Sequence, residues 1–176
     1  TNFATNIVPS VSVAKDIELT RLQLRGGYED HLLAQSADEI ASAAAAVLKK
    51  EADLDAAVKA YEPLIGSDFE RTAYGALLPL LDEYRNEGRK MLELSAANKK
   101  QEASTLFAKV MSPLAIKMSA LAESIVKFNV DEGTKAVADA VKAYDDTLFV
   151  IYLVLGATVV IILGSTIFGM SGIARP

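Results

Sequence analysis

From Leu148 to Met170 the chain reads LFVIYLVLGATVVIILGSTIFGM, without one charged residue. A bilayer core about 30 Å thick needs about 20 apolar residues in a helix, so this run is long enough to span one. A secretory signal would be N-terminal with a shorter apolar core, and a soluble core helix this long would carry some charge. Gly156, Gly164 and Gly169 are tolerated in membrane helices and permit close helix contact. Tyr152 suits one interface, and Asp145 and Asp146 before the run with Arg175 after it place the C-terminal side in the cytoplasm.

The rest of the chain reads as helices that end near this segment. Residues 3 to about 34 form a first long helix, with Pro9 tolerable only in its first turn. Val13, Ile17, Thr20, Leu24, Gly27 and His31 share one face, and Val11, Leu22 and Leu33 a second. Two apolar faces on one helix imply two neighbours, the bundle core and a second subunit. Ser36 and Glu39 form a capping box for a second helix with Ile40, Val47, Leu54, Val58 and Tyr61 inside. Ser67 caps a third, carrying Ala73, Leu77, Leu80, Leu81, Tyr84, Met91 and Leu94, with a bend expected at Pro79. A short helix from Glu102 to Met111 then leads to Ser112-Pro113, an N-cap and first-position pair. The fourth helix begins there, places Leu114, Met118, Leu121, Ile125, Phe128, Val137, Val141 and Tyr144 on its stripe, and runs without a breaker into the membrane segment.

Four long segments on short loops predict an all-α, antiparallel up-down-up-down four-helix bundle. Helices of about 30 residues make a rod about 45–50 Å long. The expected domains are a sensor bundle over 1–147, a membrane helix over 148–170, and a linker start over 171–176.

Composition narrows the function. Hydrophobic residues are 51% and aromatics 7%, with no Trp, which favours packed helices over sheets. A net charge of −5 offers no nucleic-acid surface. With no Cys and a single His, thiol catalysis and His- or Cys-rich metal sites are excluded. There is no nucleophile–base pair and no phosphate loop, so neither an enzyme nor a cofactor is expected.

Arg21 and Arg25 stand one turn apart on one facet of the first helix, flanked by Ala14 and Tyr28. Two guanidinium groups so placed can clamp a carboxylate through paired donors. Ordinary ion pairing with Glu18 and Glu29 uses the same spacing, and both readings stand. If residues 1 and 147 share the membrane edge, residues 21–28 lie opposite about 120–127. Ser124, Lys127 and Phe128 then join the site, with Tyr84, Arg85 and Arg89 of the third helix at a similar height. His31, on the core face, reads as a satisfied bundle histidine.

RLQLRGGYEDHLL (21–33), YEPLI (61–65), SDFERTAYGALLPLLDEYR (67–85) and the short helix before Ser112-Pro113 together resemble the methyl-accepting chemotaxis receptors, in their four-helix-bundle sensor region. SGIARP (171–176) resembles the start of the HAMP linker that follows the second membrane helix of such receptors. The resemblance implies a ligand-sensing region in the periplasm and a first membrane helix before Thr1. It also implies signalling parts beyond Pro176 that meet cytoplasmic partners, and a homodimer formed through the first helix. In related bundles first-helix arginines at the subunit boundary bind acidic ligands, which implies a small organic acid or amino acid here. The same sensor fronts some histidine kinases and diguanylate cyclases. A membrane scaffold rod without a ligand is the rival, and it predicts an apolar seam where Arg21 and Arg25 lie.

Overall fold

A computed structural model describes the backbone of residues 3–173 and the side chains of 5–167. A π-helical turn, Phe3–Ile7, opens into α1, Val8–Leu33; then come α2, Ala37–Tyr61, and a 3-10 turn, Glu62–Leu64. Next are α3, Asp68–Ala96, and α4, Lys100–Leu106; a second π turn, Phe107–Met111, leads into α5, Ser112–Ile173. The all-α bundle expected from the sequence is present.

The helix starts follow local chemistry. Ser36 accepts from the Glu39 N–H at 3.2 Å, and Glu39 accepts back from the N–H groups of Ser36 at 3.2 Å and Gln35 at 2.7 Å, which completes the capping box. Ser67 caps α3 by accepting from the Glu70 N–H at 3.1 Å. Asn98 ends the α3 turn at φ 61°, a left-handed conformation that Asn tolerates, and the Lys99 N–H reaches back to the Leu94 carbonyl at 2.9 Å. Pro79 lies inside α3 on an exposed position. Its missing N–H therefore faces water rather than the core.

The expected start of the fourth helix at Ser112-Pro113 is not what forms. Ser112 is helical itself, at φ −63° and ψ −44°, and the backbone stays helical from Lys100 onward. Pro113 lacks an N–H, and its ring would crowd the carbonyl four residues back. The π turn at Phe107–Met111 inserts the extra residue that absorbs this conflict. Pro113 thus marks a bulge, not a boundary.

Direction follows from cross-helix bonds. Tyr28 pairs with Glu51 while Asn6 reaches Leu64, so α1 and α2 are antiparallel. His31 meets Lys100 while Arg21 meets Ser119, so the fourth helix is antiparallel to α1. Tyr28 lies against Tyr84 and His31 against Ser95, which makes α1 and α3 the parallel pair.

The core repeats at three, four and seven residues: Val47, Leu54, Val58 and Tyr61 on α2, and Ala73, Leu77, Leu81, Tyr84 and Met91 on α3. Met111, Leu114, Ala115, Met118 and Ile125 close it from the fourth helix, and Ala14, Ile17, Leu24 and Tyr28 from α1. Each Val, Leu, Ile or Met among them contributes roughly 1.5–3 kcal/mol by leaving water. The predicted second face of α1 is open: Leu22 and Leu33 are exposed, with Val8 and Leu19 beside them. Ile40, Leu80, Leu94, Leu121 and Phe128 are only half-buried.

Contacts divide the chain into a unit ending at Gly133 and a second from Thr134. Val137, Val141 and Tyr144, expected on the core stripe, are exposed, because they lie past the end of the first unit. Within the second unit the helix is long and apolar enough to cross a membrane; its most apolar stretch has mean hydropathy 2.6, and none of that stretch is buried. A soluble core helix of equal composition would be covered. Ala174, Arg175 and Pro176 of the expected linker start lie outside the described residues.

Candidate ligand-binding site

Arg21 and Arg25 share a facet of α1, yet they are used differently. The Arg21 side chain is only 6% exposed. Its Nε donates to Glu18 Oε2 at 2.8 Å and its Nη2 to Glu18 Oε1 at 2.6 Å, a paired fork. Nη2 also donates to Ser119 Oγ at 2.9 Å, and Ser119 donates to Glu18 Oε1 at 2.7 Å. Burial opposes ionisation of Glu18, but the bonds from Arg21 and Ser119 outweigh it and hold its carboxyl below the ordinary carboxylate range. Arg25 is half-exposed, pairs with Glu29 at 3.0 Å, and stands 5.5 Å over the Phe107 ring.

Tyr28 is fully buried and donates to Glu51 at 2.9 Å. Burial, reinforced by the Glu51 charge, pushes its hydroxyl pKa far up. The ring meets Tyr84 edge-on at 5.7 Å, and its hydroxyl fills the space over Gly88, where a Cβ would come within 2.2 Å of the oxygen. Tyr84 is buried too, and burial raises its pKa to about 12, against the opposing charges of Arg21 and Arg25.

The buried side-chain atoms without a protein partner among the described residues are Ser10 Oγ, Arg21 Nη1, Tyr84 OH and Arg85 Nε. The Arg21 charge is the first of those that oppose the rise at the Tyr84 hydroxyl. Arg85 pairs with Asp55 of α2 and lies 3.8 Å from Asp82, one turn back on its own helix. Arg89 is exposed and bonds Asn86.

Ser124, Lys127 and Phe128 are not brought to Arg21. Arg21 meets Ser119, so these three lie roughly 8–14 Å further along the fourth helix at 1.5 Å per residue. Ser124 bonds the Leu121 carbonyl, Lys127 pairs with Asp131 at 2.6 Å, and Phe128 stacks on Phe69 at 4.8 Å. The expected register aligned residue 1 with residue 147, whereas the packing pairs Tyr61 and Glu70 with Asn129. His31 is buried as expected, bonded through Nδ1 to Ser95 Oγ at 3.0 Å, with Lys100 capping its carbonyl at 3.0 Å.

Two polar features went unread in the sequence. Ser119 follows Met118 on the apolar stripe, and a small hydroxyl there carries no sequence signal of its own. The second is a buried carboxylate, Glu70, in the first turn of α3. It accepts from Tyr61 OH at 2.7 Å, Asn129 Nδ2 at 2.9 Å, Gly66 N at 3.0 Å and Ser67 Oγ at 2.9 Å. Among the described residues no group of three or more His, Cys, Asp or Glu is placed to hold a metal ion.

The family of four-helix-bundle sensory modules for signal transduction matches residues 5–144. The chain belongs to this family. The sensory module is similar to a solved structure, the periplasmic sensor domain of a sensor histidine kinase. The likeness has 13% identity and a TM-score of 0.65, covering 75% of this chain and 88% of the other. At that identity it supports the shared fold alone. No curated protein matches the chain.

Proposed function

We propose that this sensory module is the ligand-sensing region of a bacterial transmembrane chemoreceptor that binds a small carboxylate. In this reading residues 1–147 stand in the periplasm, 148–170 cross the inner membrane, and 171–176 begin a HAMP-like linker to cytoplasmic signalling parts. The exposed Val8, Leu19, Leu22 and Leu33 of α1 supply the apolar face for a homodimer. The ligand sits between α1 and α3 at Arg21 and Tyr84, with Arg25 and Tyr28 bordering it. Ser124, Lys127 and Phe128 lie outside it, and Arg85 braces α3 against α2.

One observation carries the ligand reading. Arg21 Nη1 and the Tyr84 hydroxyl are buried donors without protein acceptors among the described residues. Such groups cost roughly 1–3 kcal/mol each when unmatched, and an anionic acceptor matches both. Because the ligand can act only through its different affinity for two states, it must contact a part that moves. Ser119 ties Arg21 to the helix that continues into the apolar segment.

Calorimetric titration of the chain in lipid nanodiscs against organic acids and amino acids tests this. At least one acid binds, Arg21→Ala abolishes the heat, and Tyr84→Phe weakens it. Binding that survives Arg21→Ala would remove the site. The histidine-kinase likeness supports a second reading, with the same sensor attached to a kinase. Fusing the module to a chemoreceptor or a kinase output and measuring which responds separates the two.

A further inference from the structure

We propose that Glu18 is an internal stand-in for the ligand carboxylate, and that exchanging one for the other on Arg21 is what Ser119 reports to the fourth helix. The inference rests on the ligand site proposed above and specifies how that site is regulated.

Nε and Nη2 of Arg21 form the paired donors that recognise a planar carboxylate, and a carboxylate of the chain already occupies them. The two partners differ in freedom. Arg21 is fixed, with 6% of its side chain exposed, whereas Glu18 keeps 27% of its side chain in water. Glu18 can rotate outward; the guanidinium cannot follow it. Departure alone would strand a buried positive charge, which is strongly unfavourable. Departure matched by an arriving carboxylate keeps the charge compensated throughout. Two carboxylates on one guanidinium repel, so the arrival of the ligand and the exit of Glu18 become one event.

Ser119 is positioned to register that event. Its Oγ donates to Glu18 Oε1 at 2.7 Å and accepts from Arg21 Nη2 at 2.9 Å, and it is the fourth helix's contribution to this cluster. When Glu18 leaves, the hydroxyl must find the ligand oxygen instead. Displacement frees the Arg21 fork beside its Nη1, which has no protein acceptor among the described residues. Acceptor-rich ligands such as short dicarboxylates match it better than a ligand bringing an ammonium group.

The test titrates the full chain in nanodiscs at low salt with sodium acetate, succinate and benzoate, in the wild type, Glu18→Gln, Glu18→Asp and Arg21→Ala. Glu18→Gln removes the competitor's charge and tightens succinate about tenfold, with Glu18→Asp between it and the wild type. Should Glu18→Gln misfold, the Asp variant decides alone. Binding that Arg21→Ala abolishes, but that neither Glu18 variant tightens, overturns the stand-in and leaves the site intact. No binding by any acid to the wild type or a Glu18 variant overturns both. Amide hydrogen exchange over residues 115–123 changes on succinate addition in the wild type and not in Ser119→Ala; an unchanged wild type at saturation overturns the link to the fourth helix.

Discussion

Among the described residues, two layers of this bundle bury charged side chains, and they are built on opposite principles. Around Glu70, four donors from α2, the connection that leads into α3 and the fourth helix converge on both carboxylate oxygens. Burial disfavours the Glu70 charge, yet these bonds prevail and keep its pKa below the ordinary value. At Arg21, one carboxylate serves the fork while Nη1, like the Tyr84 hydroxyl, finds no protein acceptor among the described residues. A satisfied buried network fixes one arrangement; a partly satisfied one carries the cost of its unpaired groups. The Glu70 layer reads as a lock on helix register, and the Arg21 cluster is the proposed ligand site.

The contrast can be broken most directly at Glu70. Glu70→Ala strands four donors and costs about 3–4 kcal/mol in thermal unfolding followed by circular dichroism. A cost under about 1 kcal/mol would mean that the network does not set the register. Gly88→Ala comes next, at about 2 kcal/mol, because the new Cβ meets the Tyr28 hydroxyl and the buried ring has nowhere to retreat.

The two tyrosines sharpen the comparison. Tyr61→Phe removes the donor to Glu70 and costs about 1–2 kcal/mol. Tyr84→Phe removes an unpartnered hydroxyl, so stability stays within about 0.5 kcal/mol or rises, while ligand affinity falls. Equal destabilisation by both substitutions would erase the distinction between the layers.

Acid supplies the smallest and last test. Burial, aided by the Lys100 charge, holds the His31 pKa below 6.5 in the folded chain. The unfolded chain therefore takes up the proton first, and stability falls as pH drops below about 6.5. Glu18 and Glu70, both depressed below 4.5, contribute stability present above that value and lost as pH falls through their folded pKa values. Melting curves across pH show the first loss removed in His31→Gln and the second reduced in Glu70→Gln. An unchanged acid limb in Glu70→Gln would assign the loss elsewhere.

Much of the bundle was legible in order along the chain. Ser36 and Glu39 announced a helix start because a capping box is local chemistry, complete within four residues. The spacing of Leu54, Val58 and Tyr61, and the ion pairs open to Arg21 and Arg25 through Glu18 and Glu29, followed from helical period. Pro113 misled because a proline after serine reads as a start, and the π turn that accommodates it has no residue code of its own.

What the sequence by itself determined is whatever one helix decides alone: periodicity, caps, and an apolar run from Leu148 long enough for a bilayer. What only the tertiary structure decided is register between helices. Sliding the fourth helix by two turns leaves its own pattern intact, yet replaces Lys127 with Ser119 as the neighbour of Arg21. The choice is made by bonds between residues some 60 to 100 positions apart, such as Asn129 to Glu70 and Ser119 to Glu18. Burial makes those bonds decisive, because an unmatched polar group inside the bundle costs more than any single helix gains by shifting.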